Sequence, residues 1–273
     1  MSAWPAGIAV EVGRDASVKH VVFGSGTPVL IAGPCAVENY EMMRDCAAEA
    51  GRSGAGMLRG GAFKPRTSPH SFQGLGREGL AILARVREET GIPVVTEVMS
   101  CDQIGPASES VDMLQVGARN MHNFPLLTEL GRAGMPVLLK RGFMATVEEW
   151  ILAAEYILTE GNASVVLCER GIRTFETWTR NTLDLSAVPL AGMKSGLPVI
   201  VDPCHATGSR VLVGPMCHAA LACGADGLMI EIHPDPARAS SDGDQSLGFE
   251  LFRTLAAELA ETAAFFGSHR QGG

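Results

Sequence analysis

Residues 198–205 read PVIVDPCH, four apolar residues that run into an acid, a thiol and an imidazole. The same pattern, an apolar run closing on chemically capable side chains, recurs along the chain. It is found in VLIAGPC (29–35), GMLRGG (56–61), PVVTEV (93–98), DMLQVGAR (112–119), PVLLKR (136–141), SVVLCER (164–170) and DGLMIEIH (226–233). Continuous aliphatic and β-branched runs of this length suit strands buried on both faces. A closed barrel of eight parallel strands carries its chemistry at the C-terminal strand ends. One pattern therefore predicts fold and site together: an α/β chain forming a (β/α)8 TIM barrel. The rival is a doubly wound open sheet. Eight similar units favour closure, and GAGMLRGG (54–61) lacks the GxGxxG spacing of a dinucleotide turn.

Between the runs lie helix-like segments at 39–51, 75–90, 123–133, 146–159, 209–223 and 246–266, with a short one confined to 102–110. Thr146 stands three residues before Glu149 in a capping-box pattern, and Gly91 and Gly161 follow helix ends. Residues 18–23 (VKHVVF), joined through GSG to the first barrel strand, predict a hairpin lid over the N-terminal end of the barrel. The expected division is an extension at 1–28, a catalytic barrel at 29–267 and a flexible tail at 268–273.

The 273 residues and 46% hydrophobic content can supply one large core. No apolar run approaches the roughly 18 residues that cross a bilayer, and the N-terminus lacks a secretory pattern. Seven cysteines without a CxxC pair fit a reducing, cytoplasmic setting. A net charge of −8 argues against nucleic-acid binding.

Cys35, His205 and Glu231 fall at the ends of strands that are neighbours around a closed barrel, and Asp242 lies on the loop after Glu231. One thiolate, one imidazole and two carboxylates suit a divalent transition metal such as Mn, Fe, Co or Zn rather than Mg. A second group is cationic: Arg59, Lys64, Arg66, Arg119, Lys140, Arg141, Arg170 and Arg173 all gather at strand ends. Lys140 continues a buried strand and so requires an anionic partner. Arginines grip carboxylate or phosphate in two places while lysine acts as a point charge, so small phosphorylated metabolites are the expected partners. Glu97 ends its strand and either balances these cations or steers a water. Glu38 is either functional or a helix-end carboxylate. His233 would share the side of the strand that carries Glu231.

GPCAVE (33–38), RGGAFKPRTSP (59–69), QVGARNM (115–121), LLKRG (138–142), CERGIRTFE (168–176), DPCHATG (202–208) and EIHPDPARASSDGDQSL (231–247) resemble the type I, beta-branch 3-deoxy-D-arabino-heptulosonate 7-phosphate (DAHP) synthases. These enzymes are also called phospho-2-dehydro-3-deoxyheptonate aldolases. The resemblance spans essentially the whole chain. It implies a metal-dependent transferase condensing phosphoenolpyruvate (PEP) with erythrose 4-phosphate, the entry to the shikimate pathway and aromatic amino acids. It implies metal ligands at Cys35, His205, Glu231 and Asp242, and a PEP site at Arg59, Lys64, Gly117, Ala118, Arg119, Lys140 and Arg170. The aldose phosphate would meet Lys64, Pro65, Arg66 and Thr67, with Asp202 approaching aldose and metal. Lys64, His233, Glu97 and Asp202 are the expected catalytic groups, and a homodimer or tetramer is expected.

The related 3-deoxy-D-manno-octulosonate 8-phosphate synthases, which use arabinose 5-phosphate, typically read KANRS where residues 64–68 read KPRTS. One departure is DPCH, with Cys204 where the family usually has serine. The 28 residues before the first strand are too few for the regulatory domain of many relatives, so feedback control is not expected from this chain alone. The remaining alternative, an altered paralogue serving as a regulatory subunit, would be marked by loss of Cys35, His205, Lys64 or Arg66; all are present.

Overall fold

The structure is a computed structural model. It describes residues 7–13, 17–64 and 70–270, the last four of these as backbone alone. Eight parallel strands form the closed sheet: β3 (Val29–Gly33), β4 (Met57–Arg59), β5 (Val94–Glu97), β6 (Met113–Val116), β7 (Val137–Lys140), β8 (Val165–Glu169), β9 (Val199–Val201) and β10 (Gly227–Glu231). Each pairs with the next and β10 returns to β3, so the expected eight-stranded barrel is what forms. Around it lie α1 (Tyr40–Arg52), α2 (Arg77–Thr90), α3 (Ile104–Ser110), α4 (Phe124–Ala133), α5 (Val147–Leu158), α6 (Ala187–Ser195), α7 (Pro203–Thr207), α8 (Arg210–Ala222) and α9 (Phe249–Arg270).

Local chemistry sets the helix limits. The Asn39 side chain accepts from the Met42 amide to start α1, and Thr146 with Glu149 forms the full capping box of α5. Gly91 closes α2 in a left-handed conformation. The segment that became α6 was not anticipated. Its sequence AVPLAGMKS holds a proline, a glycine and one charge, so it shows no apolar stripe, and packing against β9 overrides the weak local signal.

Successive side chains of each strand face opposite sides of the sheet. One set, including Leu58, Leu114, Leu139, Leu167 and Ile230, packs outward beneath the helices. The alternate set, Ile31, Met57, Val95, Met113, Leu138, Val166, Ile200 and Met229, meets in the barrel interior. That interior cluster continues downward into the N-terminal hairpin through Val10, Val12, Val21 and Phe23. The expected N-terminal hairpin is present. Its strands are β1 (Val10–Val12) and β2 (Val21–Phe23), paired antiparallel to each other with Val10 opposite Phe23. The barrel edge at β3 is already occupied by β4 and β10, so residues 21–23 cannot pair with it.

One correction concerns His205, expected at the end of a strand but carried by the short helix that follows β9. Asp202 caps α7, accepting from the His205 amide, and Pro203 takes the first helical position, where it needs no N–H partner. Phe23, fully buried under the interior layer, supplies a test of the plug. Phe23→Ala is expected to lower unfolding stability by about 3–5 kcal/mol, read from urea denaturation midpoints.

Candidate active site

Moving two residues beyond the apolar interior layer stays on the inward face but changes its chemistry. The positions are Arg59, Glu97, Gln115, Lys140 and Glu231, each at or near the end of a strand, with Asp202 just beyond β9, and all are buried. Gly33 in β3 must stay bare: its φ is +153°, and a Cβ would stand 2.0 Å from the Arg59 carbonyl oxygen.

Cys35, His205, Glu231 and Asp242 converge so that one donor atom from each lies within 4.8 Å of the others. Cys35 Sγ is 3.6 Å from His205 Nε2 and 2.9 Å from Asp242 Oδ2, and His205 Nε2 is 3.7 Å from Glu231 Oε2. Each ligand is held from behind. His205 Nδ1 is 2.8 Å from Asp202 Oδ2, which directs Nε2 at the cluster, and Lys140 pairs with the same carboxylate oxygen. Gln245 and Ser246 donate to the two oxygens of Glu231 at 2.8 and 3.2 Å. Arg180 donates to Asp242 Oδ1 at 2.9 Å. Asp242 itself has φ +56°, a left-handed conformation that aspartate tolerates better than most residues. Cys204, the unexpected residue of DPCH, faces away from the cluster on α7, and its sulfur accepts from the Glu231 amide at 3.2 Å. It thus buttresses a ligand without being one.

Burial pushes the Cys35 thiol up to about 11, although the Lys64 ammonium works in the opposite direction. Burial likewise raises the Glu231 carboxyl to about 7, partly offset by Arg59. Burial takes His205 down to about 3, so its imidazole is neutral, as ligation requires. Soft sulfur, neutral nitrogen and two carboxylates, each oriented by a partner, fit a divalent transition metal.

Beside this cluster a cavity of about 340 Å³ opens at the C-terminal strand ends. Its wall includes Arg59, Lys64, Gly117, Ala118, Arg119, Lys140 and Arg170. Lys64 Nζ is 2.8 Å from both the carbonyl oxygen and the sulfur of Cys35. Glu97 Oε2 accepts from Gln115 Nε2 at 3.0 Å, while Glu97 Oε1, Gln115 Oε1 and Arg59 Nε are buried without a hydrogen-bond partner among the described residues. Three such atoms beside the cavity call for a polar ligand or water. Gly117 makes room for Glu97: a Cβ there would lie 2.1 Å from Oε1. A larger, mostly apolar groove of about 490 Å³, lined by Thr27, Leu30, Leu221 and Leu259, lies at the N-terminal end of the barrel and carries none of this chemistry.

Three sequence expectations change. Asp202, expected to approach both aldose and metal, bonds to the ligand His205 but is fully buried beneath it and Lys140 and is not among the cavity-wall residues. His233, beyond the end of β10, is buried with Nε2 3.5 Å from Glu38 Oε1, away from the cavity. Arg141, counted among the mouth cations, is buried on Glu169 and Asp184 at 2.8 and 2.9 Å. Pro65, Arg66 and Thr67 lie outside the described residues. Gln115, Phe143, Arg180, Gln245 and Ser246 were missed. For Gln115 the signal was available, since it lies two residues beyond inward-facing Met113.

A closed (β/α)8 barrel with a buried divalent-metal ligand set at its C-terminal mouth defines a metal-dependent barrel enzyme. The model of the DAHP synthetase I family matches residues 9–266. The chain belongs to that family. It is 52% identical over 247 residues to the phospho-2-dehydro-3-deoxyheptonate aldolase of Thermotoga maritima, covering 90% of this chain and 73% of the relative. It is 34% identical to the 2-dehydro-3-deoxyphosphooctonate aldolase of Syntrophobacter fumaroxidans, covering 90% and 91%. The crystal structure of the Thermotoga maritima DAHP synthase superposes with a TM-score of 0.87 at 51% identity, over 90% of this chain and 72% of that one. A truncated form of that synthase gives 0.85 at 45% identity, over 94% and 97%. Among the described residues no helix is long and apolar enough to cross a membrane.

The raised Cys35 and Glu231 values give the metal site a pH signature. A metal must displace these protons, so affinity is expected to rise with pH. The logarithm of the association constant should gain about one unit per pH unit above pH 8, from Cys35, and about two below pH 6, as Glu231 adds its proton. Metal titrations at several pH values check this; a pH-independent affinity contradicts the ligand set.

Proposed function

We propose that the protein joins phosphoenolpyruvate to erythrose 4-phosphate and water, giving DAHP and inorganic phosphate. The carrying observation is the juxtaposition of five wall cations, Arg59, Lys64, Arg119, Lys140 and Arg170, with the four-ligand cluster. In this reading Cys35, His205, Glu231 and Asp242 hold a divalent metal. Bound there, the ion would supply Lewis acidity toward the aldehyde carbonyl.

Arg119, Lys140 and Arg170 would hold the PEP phosphate, and Arg59 with Lys64 its carboxylate, fixing C3 against the aldehyde carbon. Arg59 already has its Nε buried without a partner. As the carbon–carbon bond forms, C2 of PEP becomes electron-poor and a water adds to it. Glu97 Oε1 and Gln115 Oε1 are two buried acceptors suited to hold that water, and the Glu97 carboxylate is the one of the two that can take its proton. The phosphohemiketal then collapses by C–O cleavage and releases phosphate. Lys64 stands beside Cys35 and is placed to protonate the new alkoxide. With His233 and Asp202 behind the wall, the water proton falls to Glu97, while Asp202 orients His205.

The choice of a four-carbon aldose rests on KPRTS at 64–68 and on 52% identity to a heptulosonate enzyme against 34% to an octulosonate one. Arg66 and Thr67 would bind the aldose phosphate. We also place the enzyme in the cytoplasm as a homo-oligomer.

Phosphate release from PEP with erythrose 4-phosphate, but not with arabinose 5-phosphate, is the expected result, lost with EDTA and restored by metal. Release with the five-carbon sugar alone would overturn the substrate assignment. Lys64→Met and Glu97→Gln are each expected to lower kcat by roughly a hundredfold or more, in steady-state assays of the metal-loaded enzyme. Cys35→Ala should fail to retain metal through dialysis, and retention with full activity would remove Cys35 from the site.

A further inference from the structure

Three guanidinium groups surround one benzene ring. The Cζ atoms of Arg119, Arg170 and Arg173 lie 5.4, 4.6 and 5.0 Å from the centroid of Phe143, a half-buried residue in the cavity wall just beyond β7. Elsewhere the protein answers its arginines with carboxylates: Arg87 with Asp112, Arg141 with Glu169 and Asp184, Arg180 with Asp242. Among the described residues no carboxylate makes an ion pair with Arg119, Arg170 or Arg173, and Arg170 donates to the carbonyls of Gly171 and His205. The backbone amide of Arg173 also donates to the carbonyl oxygen of Phe143 at 2.7 Å, tying the loop after β8 to the loop after β7.

The difference between a ring and a carboxylate matters for an incoming anion. A carboxylate would occupy the guanidinium donors and cancel their charge. A ring face attracts the cations through its quadrupole yet leaves donors and charge available. It also offsets part of the repulsion among three like charges.

Building on the cleft assignment above, we propose that Phe143 is a positioning residue for the phosphate-binding pole of the cavity. Arg173 is the outer cation of that pole, exposed where an anion arrives. The ring gathers Arg119, Arg170 and Arg173 without neutralising them, so the pole is assembled before the phosphate enters.

The test compares Phe143→Leu, which keeps an apolar side chain but loses the quadrupole, with Phe143→Tyr, which keeps it. Calorimetric titration with PEP and with inorganic phosphate is paired with steady-state kinetics. Phe143→Leu should raise the PEP Kd and KM roughly tenfold, while Phe143→Tyr and the KM for the aldose stay within about twofold of the parent. Arg173→Met, at an exposed position, should raise the PEP KM about threefold and flatten its salt dependence. Unchanged PEP binding in Phe143→Leu, equal losses in the Leu and Tyr variants, or equal losses for both substrates would overturn the role of Phe143. If Phe143→Leu does not fold, Arg173→Met decides, and parental salt dependence there overturns the proposal. Failure of the unsubstituted protein to bind PEP is a different result: it removes the cleft assignment itself, and phosphate titration then reads the pole alone.

Discussion

Lys140 ends a strand inside a closed barrel, where its charge has no bulk water to hydrate it and must be answered by protein. Asp202 answers it, and the same carboxylate fixes His205, which approaches Glu231, which in turn faces Arg59. The top layer of the barrel is therefore a chain of mutually dependent charges. Buried pairs of this kind add little net stability over an apolar replacement, yet removing one partner is costly because it strands the other. What such a chain secures is direction: each ligand atom and each cation has a reason to point where it does.

The alternation of the β-strand converts this constraint into architecture. On several strands the inward face passes within two residues from an apolar layer, such as Met57, Val95 and Met229, to a charged one, Arg59, Glu97 and Glu231. Stability and chemistry are stacked along one axis. Loops then complete what strands begin: Cys35 follows β3, Asp242 is reached only after β10 and carries a left-handed backbone, and His205 is delivered by α7.

Much of this was legible from the sequence because strand period and ligand type speak locally. Eight apolar runs mapped onto eight strands, and Cys35, His205, Glu231 and Asp242 meet as their chemistry suggested. The failures share a cause. PVIVDPCH places His205 near a strand end, but the Asp202-Pro203 pair starts a helix, and the turn hides Asp202 beneath the residue it supports. His233 follows Glu231 by two residues, so alternation alone placed it in the site. The strand ends at Glu231, and the backbone beyond answers to other contacts. Arg141 was invisible as a structural residue because its partners Glu169 and Asp184 lie 28 and 43 residues away. Sequence spacing reports which residues share a face, whereas pairing across the fold is decided by tertiary packing.

The hairpin under the barrel has a further meaning for the reaction. Val10, Val12 and Phe23 seal the lower end with hydrocarbon, so solvent can approach the charged layer from above alone. A chamber with one doorway exchanges its water through that doorway alone. Every group that sheds water when a substrate arrives does so in the same direction. The small antiparallel pair, remote from the charged layer, thereby leaves the upper mouth as the route by which water departs when a substrate enters.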